Sequence, residues 1–375
     1  MKIEIFEMER MQSTYENIVD YDMSESGIKP VSVNDLVEMG FDLEAALHMP
    51  LGYSQSNGTP ELKELLTKIY PGAAPENIEV TNGTSEANYL IALSRIQEGD
   101  EFALQIPNYM QLWGVPRSLG AKVNTFCLVS ENNWEIDWGE FEKAVNPKTR
   151  LVYISNPNNP TGSVLSVDAM KRIVDRCEEM DACLISDEVY IGAEYDEKRT
   201  ESFWGMSEKV IVTSGLSKAY GIPGLRVGWI VGPRELVYDC WTQHDYLTIG
   251  PNKLSDGMAR VAVQLENRKK LYHRTTAILN ENRPIFEEWV EGIPQLTYIK
   301  SEAGAFSFLK LNVDVPSLDM VEACRENQGT LIVPGSHFGM EGYLRIWIGG
   351  PRDYLKEGLR RIKEELKNFK VIPVD

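Results

Sequence analysis

The chain is short of the residues that hold metals or staple small folds. Its five cysteines (Cys127, Cys177, Cys183, Cys240 and Cys324) are an odd number, widely spaced, with no Cys-x-x-Cys pair. That argues against a disulfide framework or a zinc knot and for a reducing compartment. Of the four histidines, His48, His244, His273 and His337, no two stand at metal-ligand spacing, so no metal is expected. Positive charge is also scarce: Lys+Arg number 38 against 56 Asp+Glu, a net charge of −18. Such a chain repels a nucleic-acid backbone or an anionic membrane surface, and neither is an expected partner. No run approaches the roughly 18 apolar residues of a membrane span. Glu4, Glu7 and Glu9 break any apolar leader at the N-terminus. The expected address is therefore the cytoplasm.

What is present is an ordinary globular composition. Hydrophobic residues make up 43% of 375 and charged residues 25%, enough for a large core and too apolar for wholesale disorder. Short apolar runs at Ile78–Val80, Glu101–Gln105, Val123–Leu128, Leu151–Ser155, Ala182–Ser186, Val210–Thr213 and Val227–Val231 read as seven covered strands of a mostly parallel sheet. Amphipathic helices alternate with them. Ser166 is a good N-cap before an apolar stripe of Val167, Met170, Ile173, Val174 and Cys177. Asp137 with Glu140 reads as a capping box. This is an α/β pattern with right-handed crossovers. After about Leu254 the pattern changes to a long charged helix, extended pieces near Leu296–Ile299 and Ala305–Leu311, and a final helix carrying Leu355, Leu359, Ile362, Leu366 and Phe369. The expected division is a large domain over 46–254 and a smaller α+β domain built from 1–45 and 255–375.

In an open α/β sheet, ligands bind beyond the carboxyl ends of the strands. The first strand is followed by Thr81-Asn82-Gly83-Thr84-Ser85 and a helix, a glycine turn with hydroxyls at a helix N-terminus. That is the chemistry of a phosphate site, although such a turn alone is more often simply a capped loop. Asn156-Pro157-Asn158-Asn159-Pro160-Thr161-Gly162 fixes Asn159 in a rigid turn, where its amide can be aimed at a ligand. Asp187 ends a buried strand, where a carboxylate needs a cationic or hydrogen-bonding partner. Lys218 lies in a small-residue loop after the next strand, with Arg226 beyond it. Such a lysine can act as a nucleophile toward a carbonyl, and such an arginine suits a phosphate. Together these strand ends match the needs of pyridoxal phosphate.

At these residues the sequence resembles the class I/II aminotransferases, the fold-type-I family of pyridoxal-phosphate enzymes. The resemblance runs from about Tyr53 to Trp347 and is carried by NPNNPTG and by SKAYGIPGLRVGW. It implies pyridoxal 5'-phosphate as cofactor and an amino acid and a 2-oxo acid as substrates. It assigns Lys218 as the Schiff-base lysine, Asp187 as partner of the pyridinium nitrogen, and Tyr190 with Asn159 as the pair on the cofactor's phenolic oxygen. Gly83, Thr84, Ser85 and Arg226 become the phosphate cradle, and Tyr109 an aromatic stacked on the ring. Tyr53 corresponds to a tyrosine that reaches the neighbouring subunit's phosphate, which implies a homodimer with shared sites. Arg345 is similar to the residue that grips the substrate carboxylate. The sequence departs from the family pattern at Gly215, where a serine or threonine is frequent; Ser214 is the expected substitute. The N-terminal stretch also differs: Asp22-Met23-Ser24-Glu25-Ser26-Gly27 stands where a glycine-rich segment is common. Gly27 is expected against the substrate carboxylate, and Glu25 either near the substrate side chain or in solvent.

The implied reaction is transfer of an amino group between an α-amino acid and a 2-oxo acid. No arginine lies between Arg234 and Arg260, where dicarboxylate-specific relatives often carry one. Trp241, Gln243, His244 and Tyr246 in that stretch suit an aromatic, polar or uncharged side chain, whereas Glu25 favours a cationic one. The Ser-Glu-Ser-Gly segment is similar to branches that handle arginine-like amino acids, some of them cyclases, lyases or oxidases. A ligand sensor built on this fold would need a DNA-binding module, and no basic helix offers one. An inactive homologue would not be expected to keep Lys218, Asp187 and Arg345.

Overall fold

A computed structural model describes residues 2–196 and 198–372. The N-terminal segment holds a helix at Glu7–Tyr15 and a two-residue strand, β1 (Tyr21–Asp22). Eight strands then build the large sheet: β2 (Ile78–Thr81), β3 (Glu101–Ile106), β4 (Lys122–Val129), β5 (Glu135–Ile136), β6 (Thr149–Ser155), β7 (Cys183–Asp187), β8 (Val210–Gly215) and β9 (Gly228–Val231). Their order is β2-β9-β8-β7-β6-β3-β4-β5. Neighbours from β8 to β4 pair in parallel; β9 runs antiparallel between β8 and β2.

The expected count of seven strands is one too low. The addition is β5, which pairs antiparallel with the end of β4 through Leu128–Ile136 and Val129–Glu135. Two residues are too few to show a period in the sequence.

Both faces of the sheet are covered, and successive residues divide between two cores with the period of two that a pleated strand imposes. Tyr153, Ile185 and Ile211 join Leu90, Ile91 and Leu236 on one side. Val152, Ile154, Leu184 and Val212 join Ile173, Val174 and Cys177 on the other. The helix Val167–Glu179 buries its stripe there and is capped by Ser166, which accepts a hydrogen bond from the Ala169 N–H at 3.2 Å. Asp137 caps its helix through the Glu140 N–H at 2.9 Å, but the box is only half made. The Glu140 carboxylate turns instead to the Cys127 N–H at 3.0 Å, tying the helix to β4.

Beyond residue 264 a helix spans Leu265–Glu291. Strands β10 (Leu296–Tyr298), β11 (Phe306–Leu311), β13 (Val333–Pro334) and β14 (Tyr343–Trp347) form a second sheet. Strand β12 (Thr330–Leu331) pairs in parallel with β1, and the final helix covers Arg352–Leu366. The N-terminal segment is thus stitched to the C-terminal unit. The Met23 N–H donates to Leu331 O at 2.8 Å, and Met23 O accepts from the Trp347 N–H at 2.9 Å. These bonds carry the next residues, Ser24 to Gly27, to the carboxyl ends of the large sheet. Among the described residues no helix is long and apolar enough to cross a membrane.

Candidate active site

The loops after β2, β3, β6, β7 and β8 open on one cleft of about 300 Å³. Parallel strands align their carboxyl ends, so residues far apart in sequence meet there. Thr84, Ser85, Tyr109, Asn159, Asp187, Tyr190, Lys218 and Arg226 all line it, with Glu25 from the N-terminal segment.

Asp187 is the last residue of β7 and is buried. Its Oδ2 accepts from Asn88 Nδ2 and from the Tyr153 hydroxyl, both at 3.1 Å, and Oδ1 accepts from the Val189 N–H at 3.1 Å. Burial pushes its carboxyl pKa up, against those three donors and the positive charge of Lys218. Asn88 is itself oriented, since Thr213 on β8 donates to its Oδ1 at 2.9 Å.

Lys218 Nζ donates to Ser26 Oγ at 2.8 Å and meets Glu25 Oε1 at 3.3 Å. Burial works to lower the ammonium pKa; the carboxylate of Glu25, with Tyr190, outweighs it, and the net direction is up. Glu25 answers in kind. Lys218 holds its carboxyl down at about 2, helped by the N–H groups of Ser26 and Gly27 and opposed by burial. Gly27 donates to Glu25 Oε1 at 2.7 Å, and a Cβ there would come within 3.2 Å of Ser217 O and 3.3 Å of Glu25 Oε1. Its place is beside the lysine, next to the cleft residues Glu25 and Ser26.

Gly83 has φ +93°, and a Cβ on it would stand 2.4 Å from Arg226 Nη2. Only glycine gives both the left-handed turn and the close approach of the guanidinium. Thr84 starts the helix Thr84–Arg95, and its buried Oγ1 has no hydrogen-bond partner among the described residues. Tyr190 is buried, with its ring edge-on to Phe306, and its hydroxyl likewise has no hydrogen-bond partner among the described residues. Burial raises its pKa, against Lys218 and Arg345. Two orphaned hydroxyls facing one cleft are donors awaiting a ligand. Tyr109 is half-buried between Phe6, ring centroids 4.9 Å apart, and Glu9, to which its hydroxyl donates at 2.8 Å.

Arg345, on β14, stands one contact behind the cleft wall. It is buried, over the ring of Phe338 at 4.9 Å. Nη1 donates to Asn159 Oδ1 at 3.0 Å and Nη2 to Ser24 O, while Nε has no partner among the described residues. Burial draws its pKa down. Holding Asn159 by its oxygen leaves that side chain's NH2 as the donor toward the cleft.

Gly27, Gly83 and Arg345 stand just behind the lining, and two further expected residues lie away from this cleft. Ser214 donates to Glu188 O at 3.3 Å and lines a separate cavity with Tyr70, Tyr220 and Trp229. In a strand, neighbouring side chains point to opposite faces, so a serine one place early cannot stand in for residue 215. A side chain at Gly215 has no room, because a Cβ would meet Thr84 Oγ1 at 2.7 Å and Val227 O at 2.9 Å. Ser217, which lines the cleft 3.5 Å from Arg226 Nη1, is the hydroxyl available there instead. Tyr53 is 90% exposed and lines a separate groove formed by residues 51–56 and 248–254.

The cleft also contains residues that the strand-end logic misses. Met8, Glu9 and Gln12 of the first helix, with Glu16 at its C-cap, form one of its walls. Glu9, Gln12 and Glu16 fall at i, i+3 and i+7, one face of a helix, which was the available signal. Gln12 Nε2 donates to Ser24 O at 2.7 Å. Asn88 and Tyr153 complete the hold on Asp187; in the sequence both look like core residues.

The comparisons with known proteins agree with this geometry. Residues 31–362 match the family model described as aminotransferase class I and II. The chain is 30% identical to capreomycidine synthase of Streptomyces vinaceus, over 82% of this chain and 83% of that one. It is 27% identical to an aspartate aminotransferase of Pyrococcus horikoshii, over 85% and 84% of the two chains. The crystal structure of a PLP-dependent aminotransferase from Streptococcus suis superposes with a TM-score of 0.92 at 30% identity, covering 100% of both chains. With the family match spanning most of its length, the chain belongs to the pyridoxal-phosphate-dependent class I and II aminotransferases.

Proposed function

We propose that this protein moves an amino group between an α-amino acid and a 2-oxo acid, with Lys218 as the reacting lysine. One observation carries the reading: a buried carboxylate, a lysine amine and two unpartnered hydroxyls converge on one cleft, with a guanidinium packed on a left-handed glycine at its edge. These residues fit pyridoxal phosphate. Gly83, Thr84, Ser85, Ser217 and Arg226 would hold its phosphate, Asp187 its ring nitrogen, Tyr109 its ring face, and Asn159 with Tyr190 its phenolic oxygen. When bound, the cofactor supplies an electron sink for the substrate Cα.

The chain's own residues do the rest. Asp187, fixed by Asn88, Tyr153 and the Val189 N–H, presents an anion that keeps a ring N–H protonated and offsets its own burial. Arg345 fixes the substrate carboxylate from between Phe306 and Phe338, where little water competes with its charge. Lys218 Nζ, once free as an amine, removes the proton from the substrate Cα as general base. Tyr53 would complete the site from a second copy of the chain, so the active unit is a homodimer.

A second reading is favoured by the acidic wall. Glu9, Glu16 and Glu25 face the same cleft, and the Glu16 carboxyl is pushed up by burial and by the charges of Asp22, Glu25 and Glu9. A cationic substrate side chain would relieve that repulsion. With the likeness to capreomycidine synthase, this supports a cyclase, lyase or oxidase acting on an arginine-like amino acid at the same centre.

The test is the absorbance of the purified holoprotein as single amino acids are added without an acceptor. Movement of the visible-edge band to the ultraviolet, with release of the matching oxo acid, is expected of the donor. A persistent long-wavelength band with arginine-like amino acids and no oxo acid would replace the first reading with the second. Absence of cofactor absorbance after adding pyridoxal phosphate would overturn both. Lys218→Ala is expected to stay folded and lose turnover; an active Lys218→Ala protein would remove the lysine from the mechanism.

A further inference from the structure

Directly beneath the glycine turn lies a buried ion cluster that the reaction does not use. His244 is the last residue of the helix Arg234–His244 and is fully buried. Its Nδ1 lies 2.8 Å from Glu79 Oε1, on β2, a carboxylate that is also fully buried. Its Nε2 lies 3.1 Å from Glu86 Oε2 and 2.9 Å from Thr248 Oγ1. Glu86 is in the first turn of the helix that the glycine turn opens. Its Oε2 accepts from the Asn82 N–H at 2.6 Å and from Asn82 Nδ2 at 3.1 Å, and its Oε1 accepts from the Thr248 hydroxyl at 2.7 Å.

Proton counting sets the state of the ring. The Thr248 hydroxyl spends its hydrogen on Glu86, so its oxygen can only accept from His244. Each imidazole nitrogen faces an acceptor as long as Glu79 is ionised; burial pushes the Glu79 carboxyl up to about 7, still below the pKa of the ring, so the shared proton rests on His244. A cation is also favoured at a helix C-terminus. Burial works to lower the His244 pKa, but the bonds to Glu79 and Glu86 outweigh it and bring it to about 9. The charged groups facing the ring are Glu79 and Glu86; the buried Lys63, from the helix Pro60–Thr67, acts on Glu79 from its other side.

We infer that His244 is a positioning residue for the phosphate cradle: its doubly protonated ring holds Glu86, and through it the Asn82-Gly83-Thr84 turn, and cancels the negative charge Glu86 would set beside a bound phosphate. A carboxylate in the first turn stabilises an empty helix N-terminus, but it competes with a dianion for the same dipole. The histidine removes that conflict while keeping the carboxylate as the anchor of the loop. Thr248 and Gly250 extend the anchor outward, since Asn82 Nδ2 donates to Thr248 Oγ1 at 2.7 Å and to Gly250 O at 3.4 Å.

The inference rests on Gly83–Ser85 being the phosphate cradle. The test measures equilibrium binding to the apo form of the full chain of pyridoxal phosphate and of pyridoxal, which keeps the ring and aldehyde but lacks the phosphate. His244→Gln is expected to weaken pyridoxal phosphate about tenfold or more, as an uncompensated charge near the site requires, and to change pyridoxal less than about twofold. His244→Gln/Glu86→Gln is expected to regain most of the loss, because the offending charge leaves with its partner. Glu86→Gln alone is expected to tighten pyridoxal phosphate, and this variant decides the matter if His244→Gln does not fold. Equal weakening of both ligands, no recovery in the double variant, or a Glu86→Gln protein that binds no tighter would overturn the inference. A wild-type chain that bound both ligands equally would instead remove the cradle assignment itself.

Discussion

At the scale of single residues, Glu25 and Lys218 are the pair whose charges most control each other. The lysine is needed as an amine, yet the glutamate stabilises its charged form. Removing the carboxylate with Glu25→Gln therefore lowers the pKa of the lysine nitrogen, and the acidic limb of the kcat/KM profile is expected to move to lower pH. A profile that stays in place would place Glu25 outside the electrostatics of the reaction. The same pair has a second signature. The Glu25 carboxyl lies near 2, below the ordinary value of about 4.3. Its stabilising contribution is thus complete above that ordinary value and is lost as pH falls toward 2, so wild type should lose more stability than Glu25→Gln over that interval. The site residues differ in how far the sequence exposes them. Lys218, Asp187 and Asn159 stand in short, constrained motifs at strand ends, where the topology alone brings them together. Glu9, Gln12 and Glu16 lie on an ordinary-looking amphipathic helix. Only the stitching of Met23 to Leu331 and Trp347 carries that helix to the cleft. Contacts across three hundred residues leave no local mark on either partner.

At the scale of elements, periodic hydrophobic patterns are legible because burial on a helix or strand repeats along the chain, whereas single polar contacts do not. The helix Val167–Glu179 shows the rule: its stripe, its cap and its burial all agree. Ser166→Ala is expected to lower stability by about 1 kcal/mol, the usual value of an N-cap, with little effect on activity, as chemical denaturation would report. A loss several times larger would mean that Ser166 does more than cap. Asp137 shows where the rule stops. The Asp137/Glu140 pattern predicts reciprocal bonds, but the β4 backbone offers Glu140 a better-placed donor at Cys127, and tertiary structure takes the carboxylate. Ser214 fails for a related reason. One residue of shift is small in sequence and decisive in a strand, because it turns the side chain to the other face. The short β5 is legible only once β4 is in place to pair with it.

At the scale of the whole molecule, the chain leaves an apolar surface that a single copy does not explain. Leu51, Tyr53 and Ile249 are all exposed and line the groove beside the glycine turn. A monomer rarely leaves large apolar residues clustered in this way, and a second copy seated there would cover them. The proposed homodimer predicts sedimentation at twice the 42.4 kDa chain mass at micromolar concentration. It also predicts shared sites, which mass alone does not test. Lys218→Ala lacks the reacting amine, and Tyr53→Ala is expected to lose activity about tenfold or more if its hydroxyl serves the neighbouring site. When the two variants are co-expressed, each mixed dimer has one site with Lys218 from one copy and Tyr53 from the other, both intact, and one site lacking both. Random pairing makes about half the dimers mixed, so about a quarter of wild-type activity should return from two nearly inactive parents. If Tyr53 served its own chain's cleft, or none, the mixture would give only the average of the parents. Recovery would then locate Tyr53 across the interface even though its side chain, in the isolated chain, is almost wholly exposed.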